Sequence, residues 1–113
     1  MELNIDTAQE ENGVSVHLSG ELDMLVAPQL SDTLSELLDA GHKHIAVDLT
    51  NLEFVDSSGL SALLGAHQDA QARGAVLVLQ SPNERIVRLV SITGLGDVFE
   101  VSVAPDGEPT GSR

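Results

Sequence analysis

A short polar turn between an apolar segment and a helical pattern constrains this chain more than any other feature. The stretch from Phe54 to Gly65 reads Phe-Val-Asp-Ser-Ser-Gly-Leu-Ser-Ala-Leu-Leu-Gly. Its apolar start is typical of the end of a strand, and three residues that favour helix caps follow, namely Asp56, Ser57 and Ser58. Apolar residues then recur at helical spacing. The stretch predicts a strand, a tight turn, and a helix that exposes a serine at its N-terminus, where the helix dipole favours added negative charge.

The residues before this stretch predict a hairpin, a helix and a buried strand. Alternating apolar residues flank the turn signal Asn12-Gly13, which indicates a β-hairpin within the first twenty residues. Apolar positions from Val26 to Leu38 share one helical face, and Gly41 ends that helix. The run 45–49 is apolar enough for a strand buried on both faces, and we expect 50–53 to form a loop.

The residues after this stretch continue the alternation of helices and strands. The central helix is expected to end near Arg73, and the apolar run 75–79 predicts another buried strand. Ser81, with Pro82 next and Glu84 three residues on, predicts a further helix, and 98–103 a last strand. The sequence therefore predicts one α/β domain over residues 1–103, with a mixed sheet of four or five strands, an N-terminal hairpin and three to four helices. We expect residues 104–113 to be a disordered tail.

Composition excludes several classes of partner. The formal net charge is -13, from 18 acidic against 5 basic residues, so nucleic acid and anionic membranes are poor partners. An acidic domain suits a basic protein surface, although such a charge also occurs in ordinary soluble proteins. There are no cysteines, no N-terminal signal pattern and no apolar run near the ~18 residues of a spanning helix, so we expect a cytoplasmic protein.

The residues argue against catalysis and metal binding by this chain. A nucleophile elbow needs glycines two positions before and after its serine, and neither Ser57 nor Ser58 has both. His42, His44 and Asp48 could be imagined as metal ligands, but histidines at such positions are more often solvated, as we also expect for His17. No phosphate-binding loop is present, so the chain should not bind ATP. We therefore predict no catalytic residues, no metal and no cofactor.

Four segments together carry a resemblance to a known family. They are Leu18-Ser19-Gly20-Glu21-Leu22-Asp23, Val47-Asp48-Leu49, Phe54-Val55-Asp56-Ser57-Ser58-Gly59-Leu60 and Thr93-Gly94-Leu95. In this order and spacing they resemble the anti-sigma factor antagonists, small bacterial proteins of the STAS fold. The resemblance covers about residues 1–103.

The resemblance implies a phosphorylation switch that regulates transcription. Family members bind, when unphosphorylated, an anti-sigma factor that is also a serine kinase, and so free a sigma factor. Phosphorylation, which the resemblance assigns to Ser57, ends this partner binding, and a phosphatase restores it. ATP and magnesium belong to the kinase. The implied partner-binding residues are Asp23, Asp56, Ser57, Ser58, Gly59 and Leu60.

Other interpretations of the same residues stay open. Ser57 could be an unmodified helix cap, and Asp23 could serve only as a turn residue or as an acid near a helix N-terminus. Relatives with the same fold also act as subunits of lipid-transport or stress-signalling complexes, through contacts between proteins. The serine at position 57 favours the switch but does not exclude such a subunit.

Overall fold

The computed structural model of the chain describes residues 2–80, 84, 86, 88 and 100–102. Its strands and helices alternate in the manner of an α/β domain. In chain order the elements are β1 (Leu3–Glu10), β2 (Gly13–Leu22), α1 (Ala27–Asp39), β3 (His44–Val55), α2 (Ser57–Ala72), β4 (Val76–Gln80) and β5 (Glu100–Ser102).

The strands form one mixed sheet in the order β1-β2-β3-β4-β5. β1 and β2 are antiparallel, and Glu10 pairs with Gly13. The two residues between them, Glu11 and Asn12, form the turn of the hairpin. The predicted N-terminal hairpin is thus confirmed. The pairs β2–β3, β3–β4 and β4–β5 are parallel. Parallel pairing places the C-terminal ends of β2 and β3 at the same edge of the sheet.

Helices α1 and α2 pack against each other, and one hydrophobic cluster joins them to the sheet. The predicted helical face of α1 is confirmed, because Leu30, Leu34 and Leu38 are buried. Pro28 lies in the first turn of α1, where its missing N–H costs nothing. None of the described helices combines the length and the hydrophobicity that a membrane span requires.

The predicted loop over residues 50–53 is wrong, because β3 continues without interruption to Val55. Pairing with β2 maintains the strand through this polar stretch, with register shifts near Ser19 and Glu21. The Asp48 carboxylate accepts hydrogen bonds from the Thr50 amide at 2.9 Å and the Thr50 hydroxyl at 2.6 Å. Local turn chemistry is therefore present, but the neighbouring strand overrides it.

Two predicted features of the C-terminal part of the chain lie outside the residues that the structure describes. The helix expected from Ser81, and with it the predicted number of three to four helices, lies largely outside the described residues. Ile86 is described, and it is buried in the hydrophobic cluster. The tail expected over 104–113 also lies outside the described residues.

Gly59 allows the start of α2 to approach the sheet closely. A Cβ atom at this position would lie 2.6 Å from Leu22 Cγ, 2.7 Å from Val55 Cγ2 and 2.9 Å from the Leu22 carbonyl oxygen. These distances are shorter than van der Waals contact, and one of the three atoms belongs to the backbone. A side chain here would therefore push α2 away from the ends of β2 and β3.

We expect Gly59→Ala to lower the free energy of unfolding by roughly 1–3 kcal/mol, because an added methyl group overpacks this contact. Gly65→Ala is the matched control in the same helix, since nothing lies within 4 Å of its added Cβ. That control should raise stability by about 0.5–1 kcal/mol, the usual gain over glycine inside a helix. Urea denaturation measures both. Equal effects of the two substitutions would contradict this account of Gly59.

Candidate functional site

The candidate site lies where β2 and β3 end side by side. Leu22 pairs with Val55, the last residues of these two strands. The next residue, Asp56, donates its amide hydrogen to the Leu22 carbonyl oxygen at 3.1 Å. The β2–α1 loop, which begins at Asp23, and the start of α2 at Ser57 therefore share one edge of the sheet. Such edges are where open α/β sheets commonly bind their ligands.

Asp56 uses both carboxylate oxygens to hold these two segments together. Oδ1 accepts a hydrogen bond from the Gly59 amide at 2.9 Å, which makes Asp56 the N-cap of α2. Oδ2 accepts one from the Met24 amide at 3.2 Å, in the β2–α1 loop. One side chain thus caps the helix and ties the neighbouring loop to it. Asp56 therefore has a positioning function, and its predicted contact with a partner stays a prediction.

Ser57 is the first residue of α2 and is exposed. Since Asp56 caps the helix, the alternative interpretation of Ser57 as the cap is wrong. The hydroxyl group is therefore not committed to capping. A phosphate on it would lie at the helix N-terminus, where free N–H groups and the dipole favour an anion. Ser58, the second helical residue, is half-buried and lines a groove between α1 and α2.

Asp23 shapes the loop that leads from β2 into α1. Its Oδ1 accepts hydrogen bonds from the amides of Leu25, at 3.0 Å, and Val26, at 3.3 Å. Its carbonyl oxygen accepts another from the Ala27 amide at 2.8 Å. The alternative function of Asp23 as a turn residue is therefore present in the fold. Oδ2 takes no part in these bonds, so the half-buried carboxylate can also meet a partner.

Gly59 and Leu60 pack inside the domain, and their predicted contact with a partner stays a prediction. Both residues are buried, and Leu60 is only 5% exposed. Gly59 sets the approach of α2 to the sheet, and Leu60 belongs to the hydrophobic cluster. The motif therefore has two functions. Its polar half faces outward, and its apolar half packs the helix against the core.

Two exposed apolar residues belong to the same edge, and sequence reasoning did not single them out. Met24 is 66% exposed and Leu25 is 83% exposed. The sequence signal that could have identified them is a pair of large apolar residues in the loop between the predicted strand and the predicted helix. The turn formed by Asp23 directs both away from the core.

Among residues 2–80, the charged side chains at the site are all acidic. Asp23 and Asp56 lie at this edge, and Asp32 lines the adjoining groove. Within residues 2–80 the cationic side chains are Lys43 and Arg73, and both lie where α2 ends and β3 begins, at the opposite edge. There Arg73 pairs with Asp39 at 2.7 Å and Asp69 at 3.1 Å. A partner that docks at the site therefore meets carboxylates without neighbouring cations from this part of the chain.

Asp48, one of the residues considered for metal binding, is engaged in hydrogen bonds within the sheet. Asp48 accepts from Thr50 and pairs with His17, whose Nδ1 lies 3.0 Å from Asp48 Oδ2. Burial alone would raise the pKa of Asp48, but the hydrogen bonds from Thr50 and His17 hold that pKa below its ordinary value. Among the described side chains, no group of three or more His, Cys, Asp or Glu residues could hold a metal ion.

Comparison with known proteins matches this architecture. The STAS domain family matches residues 4–106. The anti-sigma-B factor antagonist of Bacillus subtilis strain 168 is 34% identical over 107 residues, which cover 95% of this chain and 97% of that protein.

Solved structures of SpoIIAA have the same fold. The unphosphorylated form of this anti-sigma factor antagonist matches with a TM-score of 0.78 at 24% identity, over 91% of this chain and 90% of that chain. The phosphorylated form, from Bacillus, matches with a TM-score of 0.73 at 24% identity, over 91% and 93%. The family match and the curated relative each span nearly the whole chain. The chain therefore belongs to the STAS domain family and, within it, to the anti-sigma factor antagonists.

Proposed function

We propose that this chain is an anti-anti-sigma factor controlled by phosphorylation of Ser57. In the unphosphorylated state it binds an anti-sigma factor that is also a serine kinase, and the sigma factor held by that protein is released. The observation that carries the proposal is the exposed Ser57 at the start of α2, with the capping function taken by Asp56. Family membership supports it, because the relative from Bacillus subtilis is named for antagonism of an anti-sigma factor.

The proposed modification needs chemistry that the partner supplies. The Ser57 hydroxyl oxygen bonds to the γ-phosphorus of ATP, the bond from that phosphorus to the β–γ bridging oxygen breaks, and ADP leaves. A base of the kinase takes the hydroxyl proton, and Mg²⁺ on the kinase neutralises the developing charge. This chain contributes an accessible hydroxyl on a fixed element. Its function is binding rather than catalysis, and the switch resides in residues 1–103.

A phosphate on Ser57 opposes docking by its charge and its hydration. It adds about -1.5 to -2 charge at pH 7, next to the Asp56 carboxylate and on the same edge as Asp23. The partner would have to desolvate this dianion and close over a crowded acidic surface. A cost of a few kcal/mol lowers affinity by about a hundredfold or more. A phosphatase that removes the phosphate restores binding. The whole cycle takes place in the cytoplasm, where sigma factors act.

Asp23 supplies a charge contact to the unphosphorylated complex. Its Oδ1 is engaged by Leu25 and Val26, while Oδ2 remains available to a basic residue of the kinase. The acidic edge also speeds encounter with a basic surface, an effect that salt weakens.

We expect Ser57, and not Ser58, to be the phosphoacceptor. Wild type, Ser57→Ala and Ser58→Ala are each incubated with labelled ATP and each serine-kinase anti-sigma factor encoded in the same genome. Label should enter wild type and Ser58→Ala and be absent from Ser57→Ala, because the Ser58 side chain is half-buried. Phosphopeptide mapping gives the position. Phosphate on Ser58 alone would refute the assignment, and stable binding without any phosphorylation would favour a STAS subunit of a transport or stress complex.

We expect Asp23→Asn to weaken binding of the anti-sigma factor by about tenfold or more, which is 1.4 kcal/mol. The amide keeps an oxygen that accepts from Leu25 and Val26, so the free energy of unfolding should change by less than about 0.5 kcal/mol. Asp6→Asn is the control, since it removes the same charge from an exposed position on β1. Calorimetry measures affinity and urea denaturation measures stability. Equal affinities of the two variants would leave Asp23 with its turn function only.

A further inference from the structure

We propose that Met24 and Leu25 are the apolar anchor of the complex and insert into an apolar pocket of the anti-sigma factor that is bordered by basic side chains. This inference rests on the proposed function, and it specifies which kind of surface on the anti-sigma factor contacts this chain. It assigns the centre of the interface to the β2–α1 loop, beside Ser57 rather than at Ser57.

The exposure of these two residues is unusual for this chain. Among the described side chains, the exposed large hydrophobic ones are Met24 at 66%, Leu25 at 83% and Phe54 at 41%. Single exposed apolar residues are common on protein surfaces. Here two are adjacent, in a loop at the edge where Ser57 lies.

Hydrogen bonds fix the loop that presents them. The Met24 amide donates to Asp56 Oδ2 at 3.2 Å, and the Leu25 amide donates to Asp23 Oδ1 at 3.0 Å. The backbone of both residues is therefore ordered before a partner arrives. A preformed contact loses less conformational entropy on binding than a flexible one, so more of the free energy of apolar burial appears as affinity.

The surroundings of the loop indicate the kind of surface that covers it. Met24 lines the groove between α1 and α2 together with Ala27, Ala62 and Ser58, and Asp32 lies at the same groove. With Asp23 and Asp56 beside the loop, an apolar centre has carboxylates around it. Interfaces commonly bury an apolar centre inside a polar rim. The complementary surface is thus an apolar pocket with Arg or Lys at its border.

Asp56 connects this anchor to the switch. The same carboxylate that accepts from the Met24 amide caps the helix on which Ser57 is the first residue. Because Ser57 directly follows Asp56, a pocket that closes over Met24 and Leu25 would lie close to Ser57. Phosphorylation can therefore prevent insertion of the anchor while it leaves the loop itself in place.

The test compares a double variant, Met24→Ser with Leu25→Ser, with wild type. Each anti-sigma kinase of the same genome is titrated by calorimetry, with ADP in place of ATP so that Ser57 stays unphosphorylated. The double variant removes two apolar side chains that the complex would bury, so affinity should fall by about thirtyfold or more. The heat-capacity change of binding should also become less negative, which is the marker of lost apolar burial. The unfolding midpoint should stay at or above that of wild type.

Phe54→Ser is the control for a general loss of exposed apolar surface. The Val55 side chain lies against Gly59 of α2, and neighbours along a strand point to opposite faces, so Phe54 points away from α2. This variant should bind within about threefold of wild type, a change of less than 1 kcal/mol by the usual conversion.

A Ser57→Asp variant separates the possible failures. If the double variant binds like wild type while Ser57→Asp binds poorly, the anchor is refuted and the proposed function stands. If wild type binds none of the anti-sigma factors, the proposed function fails and the anchor fails with it. An equal loss of affinity in Phe54→Ser and in the double variant would also overturn the assignment.

Discussion

The Asp56 carboxylate is the interaction on which the candidate site depends. One of its oxygens caps α2 through the Gly59 amide, and the other holds the Met24 amide of the β2–α1 loop. Its own amide bonds to the Leu22 carbonyl oxygen at the end of β2. Two loops that are distant in sequence thereby become one rigid surface. Their relative position is set by hydrogen bonds in addition to the packing of the helices.

This arrangement separates the residues that build the surface from those that are free to act on it. Asp56 caps the helix, so Ser57 can stay exposed, and Gly59 brings the helix close to the strand ends. Asp23 gives one carboxylate oxygen to its own loop. A surface of this kind can be altered by a modification without a change of fold, because the modified atom takes no part in internal bonds that hold the cap.

Much of this fold could be predicted from local patterns, and the exceptions have physical causes. The hairpin, α1 and the strand–turn–helix stretch follow from periodicity and turn residues, which are properties of adjacent positions. The continuation of β3 through 50–53 depends on pairing with β2, which local sequence does not encode. The second hydrogen bond of the cap residue Asp56, from the Met24 amide, joins segments that are distant in sequence, so local patterns do not indicate it. Likewise the burial of Leu60 and the exposure of Leu25 are set by the tertiary arrangement.

The central claim is that phosphorylation of Ser57 changes docking and leaves the fold intact. The most direct test compares phosphorylated and unphosphorylated protein by unfolding midpoint and by affinity for the anti-sigma kinase. The account predicts a midpoint that is unchanged or slightly higher, since an anion at a helix N-terminus gains roughly 0.3–1 kcal/mol. It predicts an affinity lower by about a hundredfold or more. A strongly lowered midpoint, or backbone chemical shifts that change across the whole sheet, would contradict it.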